Sequence, residues 1–212
     1  MIILGLTGSI GMGKSTAARQ LRRLGLPVYD ADAVVHRLMA KGGAAVARIA
    51  QAFPQAIVEG AVDRRRLGAR VFGDDAALAR LEAILHPLVR LQERLFLQQA
   101  RRRRTPIVVL DIPLLFEGGG DRRVDAVIVV SCPAFLQEQR VLSRPGMTKN
   151  KLAAIRSRQL DDREKRRRAD FVIPTGLCRR QALRRLCAML HELQRQGFMT
   201  QSSPTFLKTG RL

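Results

Sequence analysis

The feature that most constrains this chain lies at its start. Residues 2 to 16 read IILGLTGSIGMGKST, a strand-like apolar run followed directly by Gly8-x-x-x-x-Gly13-Lys14-Ser15. That spacing lets successive backbone N–H groups point inward around a triphosphate, with Gly8, Gly11 and Gly13 opening conformations closed to residues that carry a Cβ. Lys14 is then placed to reach the β- and γ-phosphates. Ser15 opens a helix whose N-terminal end favours anions, and its hydroxyl is placed to ligate Mg2+.

The motif fits its surroundings. Strand-like runs recur at Ile2 to Leu6, Val28 to Tyr29, Ile107 to Leu110, Val124 to Val130 and Phe171 to Ile173, separated by segments of helical period. This alternation predicts an α/β fold with a parallel five-stranded sheet flanked by helices. A first helix is expected from about Lys14 to Leu24, ending at Gly25 with Pro27 beyond. Between the second strand and Ile107 the pattern is almost wholly helical, punctuated by Gly42-Gly43, Pro54, Gly60 and Gly73-Asp74. So long a crossover predicts a helical insertion, about 36–104, able to hold a second substrate. A second helical excursion, about 136–168 and broken at Pro145-Gly146, has the character of a lid. Its pairs Asp161/Lys165, Asp162/Arg166 and Glu164/Arg168 are spaced to support a helix. The core is expected over about 1–35, 105–135 and 169–196 as one domain, with 197–212 a disordered tail.

Composition narrows the function. The chain has 212 residues and 38 Lys+Arg against 18 Asp+Glu, a net charge of +20. That excess attracts polyanions and steers small anionic substrates alike. Only 4% of residues are aromatic and Trp is absent, leaving few platforms for base stacking. Cys132, Cys178 and Cys187 form no CxxC pair and are expected to be reduced core thiols. With no basic leader and no apolar run of membrane-spanning length, the expected setting is soluble and cytoplasmic, without membrane association.

Several residues are candidates for chemistry. Asp30-Ala31-Asp32 ends the second strand. A carboxylate there can take a proton from an attacking hydroxyl, and either residue can equally cap the next helix. Ile107-Val108-Val109-Leu110-Asp111 has the form of a buried strand whose terminal acid helps hold Mg2+. The apolar cluster Ile112 to Phe116, followed by Glu117, is suited to lining a pocket. His86-Pro87 reads as the beginning of a helix, with Arg90 one turn inward. Arg140 and Arg144 lack acidic partners downstream and precede the Pro-Gly break, as expected of arginines on a closing lid.

Together GLTGSIGMGKST, the DAD at 30 to 32, ILHPLVR at 84 to 90, VLDIPLLFE at 109 to 117 and ADFVIPTG at 169 to 176 resemble the dephospho-coenzyme A kinase family over about residues 2 to 195. The resemblance implies a P-loop kinase core with a helical acceptor-binding insertion and a helical lid. It implies transfer of the ATP γ-phosphate, with Mg2+, to the ribose 3′-hydroxyl of dephospho-coenzyme A, the last step of coenzyme A biosynthesis. Gly8, Gly11, Met12, Gly13, Lys14, Ser15, Thr16 and Thr175 would bind ATP, and Ser15 and Asp111 the metal. Asp32 would be the base, assisted by Lys14, Arg140 and Arg144, while Asp32, His86, Arg90, Leu114, Leu115 and Glu117 would hold the acceptor. Thr175 stands where the family commonly has Asn, which affects a side-chain contact to adenine. A monomer without specific nucleic-acid binding is expected. The alternatives are a nucleoside monophosphate or other small-molecule kinase, and a nucleic-acid-binding P-loop NTPase.

Overall fold

The structure is a computed structural model and describes residues 1–195, so the expected tail at 197–212 lies outside the described residues. The chain divides into two compact units. One comprises Met1–Tyr29 and the chain from Ala100 onward, and the other is Asp30–Gln99.

The first unit is built on β1 (Ile2–Thr7), all but the last residue of β2 (Val28–Asp30), β5 (Ile107–Asp111), β6 (Ala126–Ser131) and β7 (Phe171–Pro174). They form a sheet of order β2-β5-β1-β6-β7, and β1 pairs in parallel with both β5 and β6. Apolar residues fill both faces of the central strands, because a parallel sheet is covered on both sides. Along β6, Ala126, Ile128 and Val130 enter one cluster, while Val127 and Val129 join Leu115 and Phe116 in another. The period of two separates these faces. Over the first cluster lie α1 (Lys14–Arg23), which supplies Ala17, Ala18 and Leu21, and α9 (Arg179–Arg195), which supplies Ala182, Leu186, Met189 and Leu193. The start of β6 is later than the apolar run suggested. Asp125 already exchanges hydrogen bonds with Ile3, donating its N–H to the Ile3 oxygen at 2.8 Å and accepting the Ile3 N–H at 2.7 Å.

The segment expected to act as a lid contains α6 (Ala134–Leu142), α7 (Lys149–Arg156) and α8 (Asp162–Arg168). Of the expected helix pairs, Glu164 meets Arg168 at 2.8 Å and also Arg167 at 2.7 Å. The other pairs give way to better uses of the same side chains. Asp161 caps α8 by accepting the Arg163 N–H, Asp162 accepts from the Ser131 hydroxyl, and Lys165 is fully buried with its ammonium 2.9 Å from Glu117.

The second unit carries α2 (Ala31–Met39), α3 (Val46–Ala52), β3 (Ile57–Val58), β4 (Ala61–Val62), α4 (Arg64–Val71) and nearly all of α5 (Asp75–Arg102). The almost wholly helical pattern expected here is interrupted, because β3 and β4 pair as an antiparallel hairpin. Glu59 and Gly60 form its turn with φ of 49° and 78°, the positive values at both central positions that match the twist of the flanking strands. The helix start expected at His86-Pro87 is also replaced. Helix α5 begins at Asp75, where the Asp74 carboxylate accepts the Ala77 N–H, and passes through Pro87 without ending. An internal proline costs roughly 3 kcal/mol of helix propensity. Strong helix formers on either side, Ala77-Leu78-Ala79-Arg80-Leu81-Glu82 and Leu91-Gln92-Glu93-Arg94, outweigh it here.

Candidate active site

The phosphate loop connects the carboxyl end of β1 to α1 at the middle of the sheet. In an α/β sheet, ligands bind in the crevice outside the carboxyl ends of the strands, where neighbouring connections diverge. A Cβ on Gly8 would lie 2.8 Å from the Val130 carbonyl oxygen, so only glycine lets the loop leave the sheet at this point. Gly13 is the N-cap of α1 with φ 88° and ψ 16°, and its carbonyl accepts the N–H groups of Thr16 and Ala17 at 3.0 and 3.1 Å. Lys14 and Ser15 therefore open the helix with amides that have no carbonyl of an earlier turn behind them, the arrangement that receives an anion.

Lys14 Nζ donates to Asp111 Oδ1 at 2.6 Å, with the side chains 15% and 4% exposed. This juxtaposition follows from register, since Leu6 pairs with Asp111 and brings the end of β5 alongside the start of the loop. Ser15 and Asp111 offer a hydroxyl and a carboxylate. These are the hard oxygen donors that suit Mg2+, an ion that commonly keeps waters and takes substrate phosphates alongside one or two protein ligands.

The loop is also held from the far side of the sheet. Thr175, just past β7, donates its hydroxyl to the Met12 carbonyl oxygen at 2.7 Å, and its N–H donates to Ser131 O at 2.8 Å. Arg140 of α6 donates through Nη2 to the Thr175 carbonyl at 2.8 Å. Thr175 and Met12, expected to bind ATP, and Arg140, expected to act as a lid arginine in catalysis, thus form one connected chain. Met12 itself is 3% exposed, and its sulfur accepts the Cys132 N–H at 3.2 Å. Arg144 lies exposed in the turn after α6, its N–H donating to Val141 O.

The expected acceptor cluster after β5 separates into different roles. Leu114 is 44% exposed, whereas Leu115 is fully buried against Val127 and Val129 and serves the core. Glu117 Oε1 accepts the Leu160 N–H at 2.8 Å and forms an ion pair with the Lys165 ammonium, 2.9 Å away. Its carboxylate ties Leu160 and α8 to the segment after β5.

In the second unit, Asp30 resolves the choice between capping and catalysis that the DAD motif leaves open. Its carboxylate accepts the Ala33 N–H at 2.9 Å and makes it the N-cap of α2. Asp32 follows in the first turn and is exposed, so its carboxylate is not spent on the cap. His86 and Arg90 are exposed one turn apart on α5.

Three side chains that the motifs did not indicate also bear on the loop. Gln137 donates to Ile10 O at 2.8 Å, Gln159 accepts the Ile10 N–H at 3.1 Å, and Arg156 donates to Gln137 Oε1 at 2.6 Å. The available signal was a polar residue on a core-facing position, since Gln137 shares its face of α6 with buried Val141. Burial also pushes the Cys132 thiol up from its ordinary range.

A phosphate loop on a β2-β5-β1-β6-β7 sheet, with a lysine–aspartate pair at its mouth and an arginine-bearing helical segment beside it, defines a P-loop kinase. The family model for dephospho-CoA kinase (CoaE) matches residues 2–184, and the chain belongs to that family. It is 66% identical over 166 residues to the dephospho-CoA kinase of Paramagnetospirillum magneticum, covering 78% of each chain. To the dephospho-CoA kinase of Rhodospirillum rubrum it is 60% identical over 191 residues, covering 89% of this chain and 90% of the other. Among solved structures, TT1252 from Thermus thermophilus superposes with a TM-score of 0.78 at 40% identity, over 91% of this chain and 97% of the other.

Proposed function

We propose that this kinase transfers the γ-phosphate of ATP to the ribose 3′-hydroxyl of dephospho-coenzyme A, giving coenzyme A and ADP. The observation that carries this reading is the span of the family match. It runs through residues 2–184 and so takes in the phosphate loop and the whole Asp30–Gln99 unit, where acceptor recognition is assigned.

The chemistry follows from the residues present. Backbone amides from Gly11 to Thr16 hold the ATP phosphates, with Met12 contributing its main chain while its side chain remains in the core. Lys14 exchanges Asp111 for phosphate oxygens and neutralises charge on the transferring group. Mg2+ bound with ATP would supply further neutralisation of that charge, and Ser15 and Asp111 would hold it. The 3′-hydroxyl oxygen forms a bond to the γ-phosphorus as the bond to the bridging oxygen breaks. Asp32 takes the hydroxyl proton, and ADP leaves with the bridging oxygen. Arg140 and Arg144 offset the charge of the phosphoryl group in flight. Thr175 acts on ATP through the loop it braces and through its backbone. His86, Arg90, Leu114 and Glu117 are assigned to the acceptor side, Glu117 through the lid segment it anchors. Leu115 supports that segment from the core.

The test offers Mg·ATP with dephospho-coenzyme A against a panel of nucleosides and nucleoside monophosphates. Dephospho-coenzyme A is expected to give the highest kcat/KM. Faster turnover of any panel member would overturn the acceptor assignment and leave a different small-molecule kinase.

A further inference from the structure

The loop that receives ATP is gripped at Ile10 by the lid. Both main-chain polar groups of Ile10 are taken by glutamine side chains: its oxygen by Gln137 Nε2 at 2.8 Å and its N–H by Gln159 Oε1 at 3.1 Å. Gln137 is 4% exposed, and its other amide end accepts from Arg156 Nη2 at 2.6 Å. A buried primary amide with its oxygen and nitrogen both engaged has a fixed orientation, since a flip would set donor against donor and acceptor against acceptor. Gln137 is therefore a rigid spacer from Arg156 on α7, through α6, to a loop residue four positions before Lys14. The same segment of α6 crowds the next loop residue, because a Cβ on Gly11 would lie 3.1 Å from the Gln137 carbonyl oxygen.

We propose that Gln137 is a positioning residue for the donor phosphates. By holding the Ile10 carbonyl, it fixes the curvature of the phosphate loop, and through Arg156 it makes that curvature depend on the placement of α7. Gln159 adds a second link between lid and loop. It accepts from an N–H at the loop's tip, so α7 and its following turn are engaged with the loop from two directions. This inference rests on the kinase reading and deepens it. It concerns the donor half of the site, which binds ATP whichever hydroxyl accepts the phosphate.

Preorganised amides owe their value to being held in place before the ligand arrives. Loss of the grip is therefore expected to weaken ATP binding selectively. The informative variants are Gln137→Met, which keeps length and volume but abolishes both hydrogen bonds, and Gln137→Glu, which keeps the Arg156 partner but places an acceptor against the Ile10 oxygen. Mg·ATP binding by calorimetry, steady-state KM values for both substrates and thermal unfolding are measured on the full chain. Both variants are expected to raise the ATP Kd and KM at least about 10-fold, the scale of one lost buried hydrogen bond, with acceptor KM within about 2-fold of wild type. Arg156→Ala, at an exposed position, is expected to raise the ATP KM by a smaller factor without loss of the fold, and Arg156→Lys to recover part of that effect.

An ATP Kd unchanged in folded Gln137→Met overturns the proposal. So does an equal rise in both KM values accompanying a large fall in Tm, which marks a structural role only. If Gln137→Met fails to fold, Arg156→Ala decides: a selective ATP defect supports the grip, and wild-type ATP binding overturns it. Because ATP binding is read directly, failure of this inference is distinguishable from a wrong acceptor, which would leave the ATP results intact.

Discussion

Lys14 Nζ lies 2.6 Å from Asp111 Oδ1, joining the phosphate loop to the end of β5 through a largely buried ion pair. Lys14→Met is expected to lower kcat at least about 100-fold, the scale for removing one group that stabilises developing charge. It also takes the ammonium away from the Asp111 carboxylate. Partial access of water at Lys14 should hold the stability loss to about 2 kcal/mol, below the roughly 3–5 kcal/mol of a fully buried broken pair. Asp111→Asn keeps a hydrogen-bond partner for Lys14 and should unfold at denaturant concentrations closer to wild type while remaining slow. Steady-state kinetics and urea unfolding on the same preparations check both statements.

Asp30 and Asp32 are one residue apart and should separate cleanly. Asp30→Ala removes the cap of α2 and is expected to cost about 1 kcal/mol, which lowers Tm by roughly 2–4 °C in a chain of this size. Asp30→Ser should restore most of that loss. Asp32→Asn is expected to leave Tm nearly unchanged and to lower kcat at least about 100-fold with little change in ATP affinity. Turnover near wild type in Asp32→Asn would remove it from the proton-accepting role.

Hydrogen bonds from Arg167, and then from Arg168, hold the Glu164 carboxyl at about 2 against its ordinary 4.5. A carboxyl depressed in the folded state contributes stability that is complete above its unfolded value and is lost as the pH falls toward the folded one. The Tm difference between wild type and Glu164→Gln should therefore be constant above about pH 5 and shrink progressively between 4.5 and about 2. Since all these groups lie at the surface, added salt should diminish the difference. A difference that grows on acidification would contradict the assignment.

The cysteines were expected to be core thiols together, but they differ: Cys132 is buried, Cys178 exposed and Cys187 intermediate. Burial raises the Cys132 thiol and removes it from solvent. A thiol reagent added to folded protein near pH 8 should modify Cys178 first and Cys132 only on unfolding, as peptide mapping by mass spectrometry would show. Early labelling of Cys132 would mean that the contact between the loop and β6 opens readily.

Features set by neighbours in sequence were legible before any coordinates. The glycine spacing of the loop, the apolar strand ending in Asp111 and the stop of α1 at Gly25 all depend on a few adjacent residues. The hairpin at Ile57–Val62 was not, because two-residue strands give almost no periodicity and Glu-Gly is a weaker turn signal than Asn-Gly. Pro87 misled for a related reason. Proline favours a first helical turn, yet the propensity summed over α5 overrides that local preference. In the site, Leu114 and Leu115 look alike in sequence, and only the curvature of the chain after β5 sends one outward and the other into the core. Helical spacing points Lys165 to Asp161, but its partner Glu117 lies far away in sequence, and no local rule reaches that distance.

That last pair also anchors the segment in which it lies. With the Lys165 ammonium fully buried on Glu117, the Leu160 N–H on the same carboxylate oxygen and Asp162 bonded to Ser131, helix α8 is a fixed post standing on the core. Leu160, Asp162 and Lys165 are thus each fastened to a residue outside their own segment, so amide exchange over 160–165 should be slower than across the exposed turn at 144–146.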